Sequence, residues 1–313
     1  MKKAIADQLD QFYTTQEYAR SFFDEVKKHL DLSTFDNLIE PSAGTGSFYT
    51  LLDPSKRIGL DLDPKCDGVL QIDFFNWVPP SSGKNLTIGN PPFGKNANLA
   101  VKFFNNAAQF SDAIAFIVPK TFRKSSLTNR LDLNFIKIYD TDVPKDSFIY
   151  KDKPYDVWCC SQIWIKEHNN QQLRKKDHIF SLTDISDFIE ITKDKNEADF
   201  GLQRVGGRAG QIRETNYKQY SALSHYFFKT KNIDSIPILK KINFDKVKFN
   251  TAGNPSISPS ELVALFIESA ESFGYHITLQ KNTNDVLLSA KAKQKELFNS
   301  LFTFDRAPRS NKK

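Results

Sequence analysis

The chain is predicted to be an α/β protein: a mainly parallel sheet of seven strands, followed by a smaller C-terminal region of mixed α/β character. Three observations lead there. Short apolar runs recur through the first 167 of 313 residues with helical stretches between them, the rhythm of parallel strands joined by crossover helices. Glycine- and proline-rich punctuation falls at the ends of two of those runs, where ligands bind in such sheets. After residue 167 both rhythm and charge change: residues 1–167 carry 20 Lys and Arg against 21 Asp and Glu, whereas residues 168–313 carry 23 against 16.

Taken in order, a helix fits residues 15–30. Strands fit 35–40 (FDNLIE), 57–62 (RIGLDL), 68–72 (GVLQI) and 86–89 (LTIG). A helix fits 97–109, a strand 113–118 (AIAFIV), and a less clear helix 122–130. Strands at 134–139 (NFIKIY) and 157–166 (VWCCSQIWIK) close the series. The adjacent Cys159 and Cys160 read as small buried residues of the last strand. With Cys66 they make three cysteines, which form neither a disulfide framework nor a zinc site, so no metal is expected. Residues 168–176 (HNNQQLRKK) read as an exposed linker, 200–215 as a Gly/Arg-rich loop or strand pair, and 217–228 as an aromatic-rich stretch. Ser258, Pro259 and Glu261 form a capping box with proline in the first turn. Leu262, Leu265, Phe266, Ser269 and Phe273 then follow helical spacing. A last helix is expected over 285–302, and a flexible tail over 306–313. The organisation predicted is therefore 1–167, 168–305 and 306–313.

Composition excludes several classes. Hydrophobic residues at 40% and charged residues at 26% rule out wholesale disorder. No apolar run approaches the ~18 residues of a membrane span, and the N-terminus lacks a secretory signal pattern, so a soluble, cytoplasmic protein without membrane contact is expected. The net charge of +6 is carried wholly by the C-terminal part, which points that part toward a polyanion.

The first motif is the turn Glu40-Pro41-Ser42-Ala43-Gly44-Thr45-Gly46-Ser47-Phe48, placed where the first strand ends and a helix should begin. Two glycines one residue apart let the backbone turn sharply and approach a ligand. The next strand ends in Asp61-Leu62, where a carboxylate can accept hydrogen bonds from a ribose. No G-K-[ST] follows, which excludes a phosphate-binding P-loop, and Tyr49 stands where a dinucleotide site wants a third glycine. The crevice suits a nucleoside cofactor without pyrophosphate. Asp73-Phe74, at the end of the third strand, offers a carboxylate and a ring for an adenine.

The second motif, Asn90-Pro91-Pro92-Phe93, ends the fourth strand. Neither proline has an N–H to continue a ladder, so the carbonyls of Asn90 and Pro91 are expected to face a ligand beside an aromatic ring. That suits a flat substrate bearing an amino group.

With these motifs the chain resembles the S-adenosylmethionine-dependent N6-adenine DNA methyltransferases of bacteria and phages, over roughly residues 8–166. Asp10-Gln11-Phe12-Tyr13-Thr14 resembles the family's cofactor-covering motif, with Thr15 in place of the usual proline. Glu40 to Phe48, Asp61, Asp73-Phe74 and Asn90 to Phe93 match its later motifs in order. Only 16 residues separate Asp73 from Asn90, too few for a recognition domain, which is the gamma-class arrangement. The resemblance implies a Rossmann-like, seven-stranded methyltransferase sheet with a C-terminal recognition region. It implies S-adenosylmethionine as cofactor, held by Phe12, Tyr13, Thr14, Glu40, Ser42, Ala43, Gly44, Gly46, Phe48, Asp61, Leu62, Asp73, Phe74 and Asn90. It implies methylation of adenine N6 in double-stranded DNA, at a specific sequence and with base flipping. Asn90 and Pro91 would accept from the amino group, Pro92 would shape the turn, and Phe93 would stack on the base.

Phe148 or Tyr150, between the last two strands, is the candidate for the opposite ring face. Arg204, Arg208 and Arg213, in a stretch broken by Gly206, Gly207 and Gly210, are candidates for phosphate or guanine contacts. Lys240, Lys241, Lys246 and Lys248 read mostly as solvated charges. A cognate restriction endonuclease is a candidate partner. The alternatives are RNA adenine methylation, methylation of guanine amino groups in ribosomal RNA or of protein glutamine, and a non-catalytic nucleic-acid-binding subunit.

Overall fold

A computed structural model describes residues 12–80, 83–167, 174–277 and Leu279. The short strand β1 (Tyr13–Thr14) leads into helix α1 (Gln16–His29). Thr15 is the cap of that helix: its hydroxyl accepts from the Tyr18 N–H, work that proline could not do. Tyr18, Ala19, Phe22, Phe23 and Val26 lie on one buried stripe of α1, the spacing of a helix packed on a sheet.

The central strands are β2 (Asn37–Glu40), β3 (Arg57–Asp61), β4 (Leu70–Gln71), β5 (Asn85–Gly89), β6 (Ala113–Pro119), β7 (Phe135–Asp142) and, after the hairpin β8 (Phe148–Tyr150) and β9 (Lys153–Tyr155), β10 (Cys159–Lys166). They form one seven-stranded sheet in the order β4-β3-β2-β5-β6-β10-β7. β4 to β6 of that order are parallel, and β10 runs antiparallel between β6 and β7. This is the Rossmann-like arrangement expected from the sequence, and each of the seven strands falls on its expected run. β5 and β6 are buried along their whole length, which is why they read as continuous apolar stretches. Cys159 and Cys160 are fully buried in β10; burial pushes the Cys160 thiol up to about 12.

The strand order reverses between β2, which continues to β3, and β5, which continues to β6. Both sequence motifs therefore sit side by side at a topological switch point, where α/β sheets bind ligands.

Two helical expectations change. The helix expected after the glycine turn is one 3-10 turn, Tyr49–Leu51. Only ten residues lie between Gly46 and Arg57, and Asp53-Pro54 stops the helix early. Helix α2 (Asn98–Ala108) forms as expected, but the stretch 122–130 is split into a 3-10 turn, Lys120–Arg123, and the one-turn α3 (Ser125–Thr128).

Beyond β10, a four-stranded antiparallel sheet has the order β11-β14-β12-β13, from β11 (Ile189–Ile191), β12 (Phe200–Gln203), β13 (Ile212–Arg213) and β14 (His225–Thr230). Helices α4 (Ser235–Lys241), α5 (Asp245–Lys248) and α6 (Pro259–Glu271) follow. The Ser258–Glu261 capping box forms. Among the described residues two large apolar clusters stand apart: one gathers side chains from Tyr18 to Trp164, the other from Ile185 to Ala270. Each buried Phe or Leu adds roughly 1.5–3 kcal/mol. The expected helix over 285–302 and the tail lie outside the described residues. No described helix is long and apolar enough to cross a membrane.

Candidate active site

The glycine turn bends as its residues require. Gly44 sits at φ +50°, and a Cβ there would lie 2.8 Å from the Tyr13 ring. Gly46 sits at φ +82°, and a Cβ there would meet the Cys66 sulfur at 2.5 Å. Both positions demand glycine on backbone and on space. The Gly44 N–H donates to Asp61 Oδ2 at 2.7 Å and the Asp63 N–H to Asp61 Oδ1 at 2.8 Å, which ties the ends of β2 and β3 together.

Tyr13, Gly44, Asp61 and Asp63 line a cavity of about 290 Å³. It brings together Phe12, Tyr13, Thr14, Glu40, Ser42, Ala43, Gly44, Phe48, Asp61, Leu62, Asp73, Phe74 and Asn90, thirteen of the fourteen cofactor candidates. Gly46 does not line it and acts through the turn alone. Sequence reasoning missed Asp63, Phe75 and Phe103, which also line it. Phe103 comes from α2 and stacks on Phe74 with centroids 5.2 Å apart and planes at 24°. Its signal was the apolar face of that helix, which carried no hint of a ligand. Among the described residues, four carboxylates and no basic side chain line this cavity.

Glu40 is 2% exposed. It accepts from the Tyr49 N–H. Burial pushes its carboxyl well above the usual carboxylate range, against the Tyr49 and Phe48 N–H groups, which favour the ionised form.

A second cavity, of about 730 Å³, adjoins the same loop. Phe93, Gly94, Asn96 and Ala97 form one wall, Tyr150, Tyr155 and Val157 another, and Thr121, Lys124, Ser126, Leu127 and Arg130 a third. Phe12 lines both cavities. Among the described residues, two cations and no carboxylate line this one. The Asn90-Pro91-Pro92-Phe93 motif is thus divided. Its first three residues face the acidic cavity and its ring faces the basic one.

Asn90 Oδ1 is shut off from solvent and has no hydrogen-bond partner among the described residues. A buried acceptor left unpaired costs about 1–3 kcal/mol, a cost that a ligand N–H would remove. The Asn90 backbone carbonyl, expected to face a ligand, instead accepts from the Ser42 hydroxyl at 3.3 Å, which fixes the loop against the glycine turn. Asn96 and Ala97 both hold left-handed backbone conformations, at φ 55° and 59°. Strain of this kind persists only where the surroundings over-determine it.

The two aromatic candidates part company. Tyr150 lines the basic cavity. Phe148, opposite Thr14 in the β1–β8 pairing, is 1% exposed and packs edge-on against Phe12 at 5.0 Å, lining neither cavity. Tyr155 was missed; it lies on β9, and its ring is 5.4 Å from that of Tyr150.

Arg204, Arg208 and Arg213 line neither cavity. Arg208 is exposed, Arg204 lies over Tyr226, and Arg213 lies over Tyr220. Lys240, Lys246 and Lys248 pair with Glu214, Glu268 and Asp245, and Lys241 donates to Ser272. No group of His, Cys, Asp and Glu suited to a metal occurs among the described residues.

No protein-family model and no curated protein sequence matches the chain. Among solved structures it is similar to a candidate RNA methyltransferase from Pyrococcus horikoshii, at 18% identity and TM-score 0.39 over 51% of this chain and 90% of the other. It is also similar to a candidate class I S-adenosylmethionine-dependent methyltransferase from Listeria monocytogenes, at 13% identity and TM-score 0.39 over 54% and 65%. A third is the 23S rRNA methyltransferase ErmE, at 12% identity and TM-score 0.37 over 50% and 70%. Likenesses this distant carry no argument about what the chain acts on.

Proposed function

We propose that the chain transfers a methyl group from S-adenosylmethionine to the N6 amino group of adenine in double-stranded DNA, with the base turned out of the helix. The observation that carries this reading is the buried, unpartnered Oδ1 of Asn90, which lines the acidic cavity in the same four-residue motif whose Phe93 lines the basic one. An acidic cavity with a ring pair suits a cationic, hydroxyl-bearing nucleoside. A basic cavity with aromatic walls suits a base that carries a phosphate.

The residues present fit the cofactor. Glu40, Asp61, Asp73 and Phe74 line one cavity; Asp61 would accept from a ribose hydroxyl, and Asp73 and Phe74 would hold an adenine. When bound, S-adenosylmethionine supplies a methyl group already activated on a sulfonium. The protein's task is therefore placement. Asn90 Oδ1 would accept from the adenine amino group, and that bond strengthens as positive charge develops on the nitrogen, which favours the transition state over the ground state. Phe93 and Tyr150 would hold the ring, with stacking worth ~1–3 kcal/mol against the cost of unstacking.

The test is nucleoside mass spectrometry after incubation of wild type and Asn90→Ala with S-adenosylmethionine and unmodified duplex DNA, and separately with mixed RNA. N6-methyldeoxyadenosine in DNA, lost in the variant while cofactor binding persists, is the expected result. Product in RNA alone would replace the substrate, and product in neither would refute the reading.

A further inference from the structure

We infer that Arg130 is a phosphate contact for the strand whose base enters the basic cavity. The inference rests on the nucleic-acid reading above and adds a residue to it. Two cations line that cavity, and they differ in what surrounds them. The Lys124 ammonium is 3.0 Å from Glu261 Oε2, with both side chains largely buried at 16% and 14% exposure. Glu261 also accepts from the Ser258 N–H and hydroxyl. Lys124 is thereby neutralised and tied into the cap of α6.

Arg130 has no such partner among the described residues. Its guanidinium donates to Asn98 Oδ1 at 2.8 Å, and its carbonyl accepts from Asn105 Nδ2 at 2.9 Å. Both partners are neutral amides on α2. They orient the residue and leave its charge whole. It is exposed, it lines a cavity with no carboxylate among its described lining residues, and Ser126, which also lines that cavity, offers a hydroxyl. A planar guanidinium held this way keeps donors free for phosphate oxygens and loses little entropy on using them.

The experiment is fluorescence anisotropy of a labelled single-stranded DNA oligonucleotide containing only adenine, titrated at several salt concentrations. A single strand reaches the cavity without base flipping. Each phosphate contact contributes about 0.7 to the slope of log K against log salt for single strands. Arg130→Gln is expected to lower the slope by about that amount, and Arg130→Glu to lower it further. Arg130→Lys, which keeps the charge, should hold the wild-type slope. Asn98→Ala, which removes the orienting amide and no charge, should hold it too, which separates charge from structure. A wild-type slope in Arg130→Gln overturns the inference and leaves the reading of the cavities standing. Failure of wild type to bind the strand at any salt concentration overturns both.

Discussion

Arg174 should be the strap that holds one wall of the basic cavity in place. Its guanidinium donates to four backbone carbonyls, those of Thr128, Leu131, Asp132 and Phe135, at 2.8 to 3.2 Å, and it lies over the Trp164 ring. Burial lowers its affinity for its proton, with Asp177 and Asp132 acting in the other direction. Arg174→Met would keep the aliphatic stem on Trp164 and remove every donor. The Thr128 and Asp132 carbonyls keep backbone donors, from Leu131 and Phe135, so the loss falls mainly on the other two. At about 1–2 kcal/mol for each carbonyl left without that donor, the variant should lose about 2–4 kcal/mol. For a domain of this size the melting temperature should fall by roughly 5–12 °C, read by calorimetry. Leu127 and Arg130, on the segment being strapped, line the basic cavity. Affinity for nucleic acid should therefore fall while cofactor affinity holds. A shift below about 1 °C would show that water replaces the guanidinium and that the strap adds nothing.

Three further outcomes follow from the acidic cavity and its neighbour. Glu40 has a folded-state pKa raised by burial, so the folded protein holds a proton that the unfolded chain gives up: stability should fall as pH rises above the ordinary carboxylate range, by up to about 1.4 kcal/mol per pH unit. Glu40→Gln should flatten that part of a denaturation-against-pH profile, and an unchanged profile would count against it. Gly44→Ala places an alanine at φ +50° with its Cβ 2.8 Å from Tyr13; it should cost about 1–2 kcal/mol of stability and, by displacing the Tyr13 ring, weaken cofactor binding measured by calorimetry. Tyr150→Ala should weaken binding of the adenine strand by about 1–3 kcal/mol and leave cofactor affinity unchanged; an equal loss in both would place Tyr150 elsewhere.

The strands were legible because β5 and β6 are buried on both faces and their sequences say so without interruption. The two motifs were legible because glycine and proline constrain the backbone through their own chemistry, wherever the rest of the chain goes. Arg174 was not. In HNNQQLRKK it reads as one more solvated charge, and only the fold brings four carbonyls around it. Lys124 and Arg130 were hidden for the same reason: a lysine paired with a carboxylate 137 residues away looks like a free one. Phe148 and Tyr150 lie on one strand with the same sequence signal. Burial against Phe12 makes one of them core and leaves the other on a cavity wall, and a sequence contains no measure of depth.

Phe12 gives the two cavities a common wall, and that has an energetic consequence. Its ring lies 5.2 Å from Phe93, 5.0 Å from Phe148 and 6.1 Å from Tyr155. The strand that follows it pairs Tyr13 with Ile149 and Thr14 with Phe148, and β8 in turn pairs with β9. The Ser47 hydroxyl donates to the Thr14 carbonyl at 2.7 Å, which anchors the strand to the glycine turn as well. Strands of two and three residues are marginal by themselves, so each ligand that packs on one side should help order the wall the other needs. Coupling of this kind is reciprocal, and commonly amounts to about 5- to 150-fold. Saturating S-adenosylmethionine should therefore raise affinity for the adenine strand by some factor in that range, and the strand should raise affinity for the cofactor by the same factor. In Phe12→Ala both ligands should still bind, with the factor close to one. A factor of one in wild type would mean that the shared wall is already rigid, and the argument for coupling would fail with it.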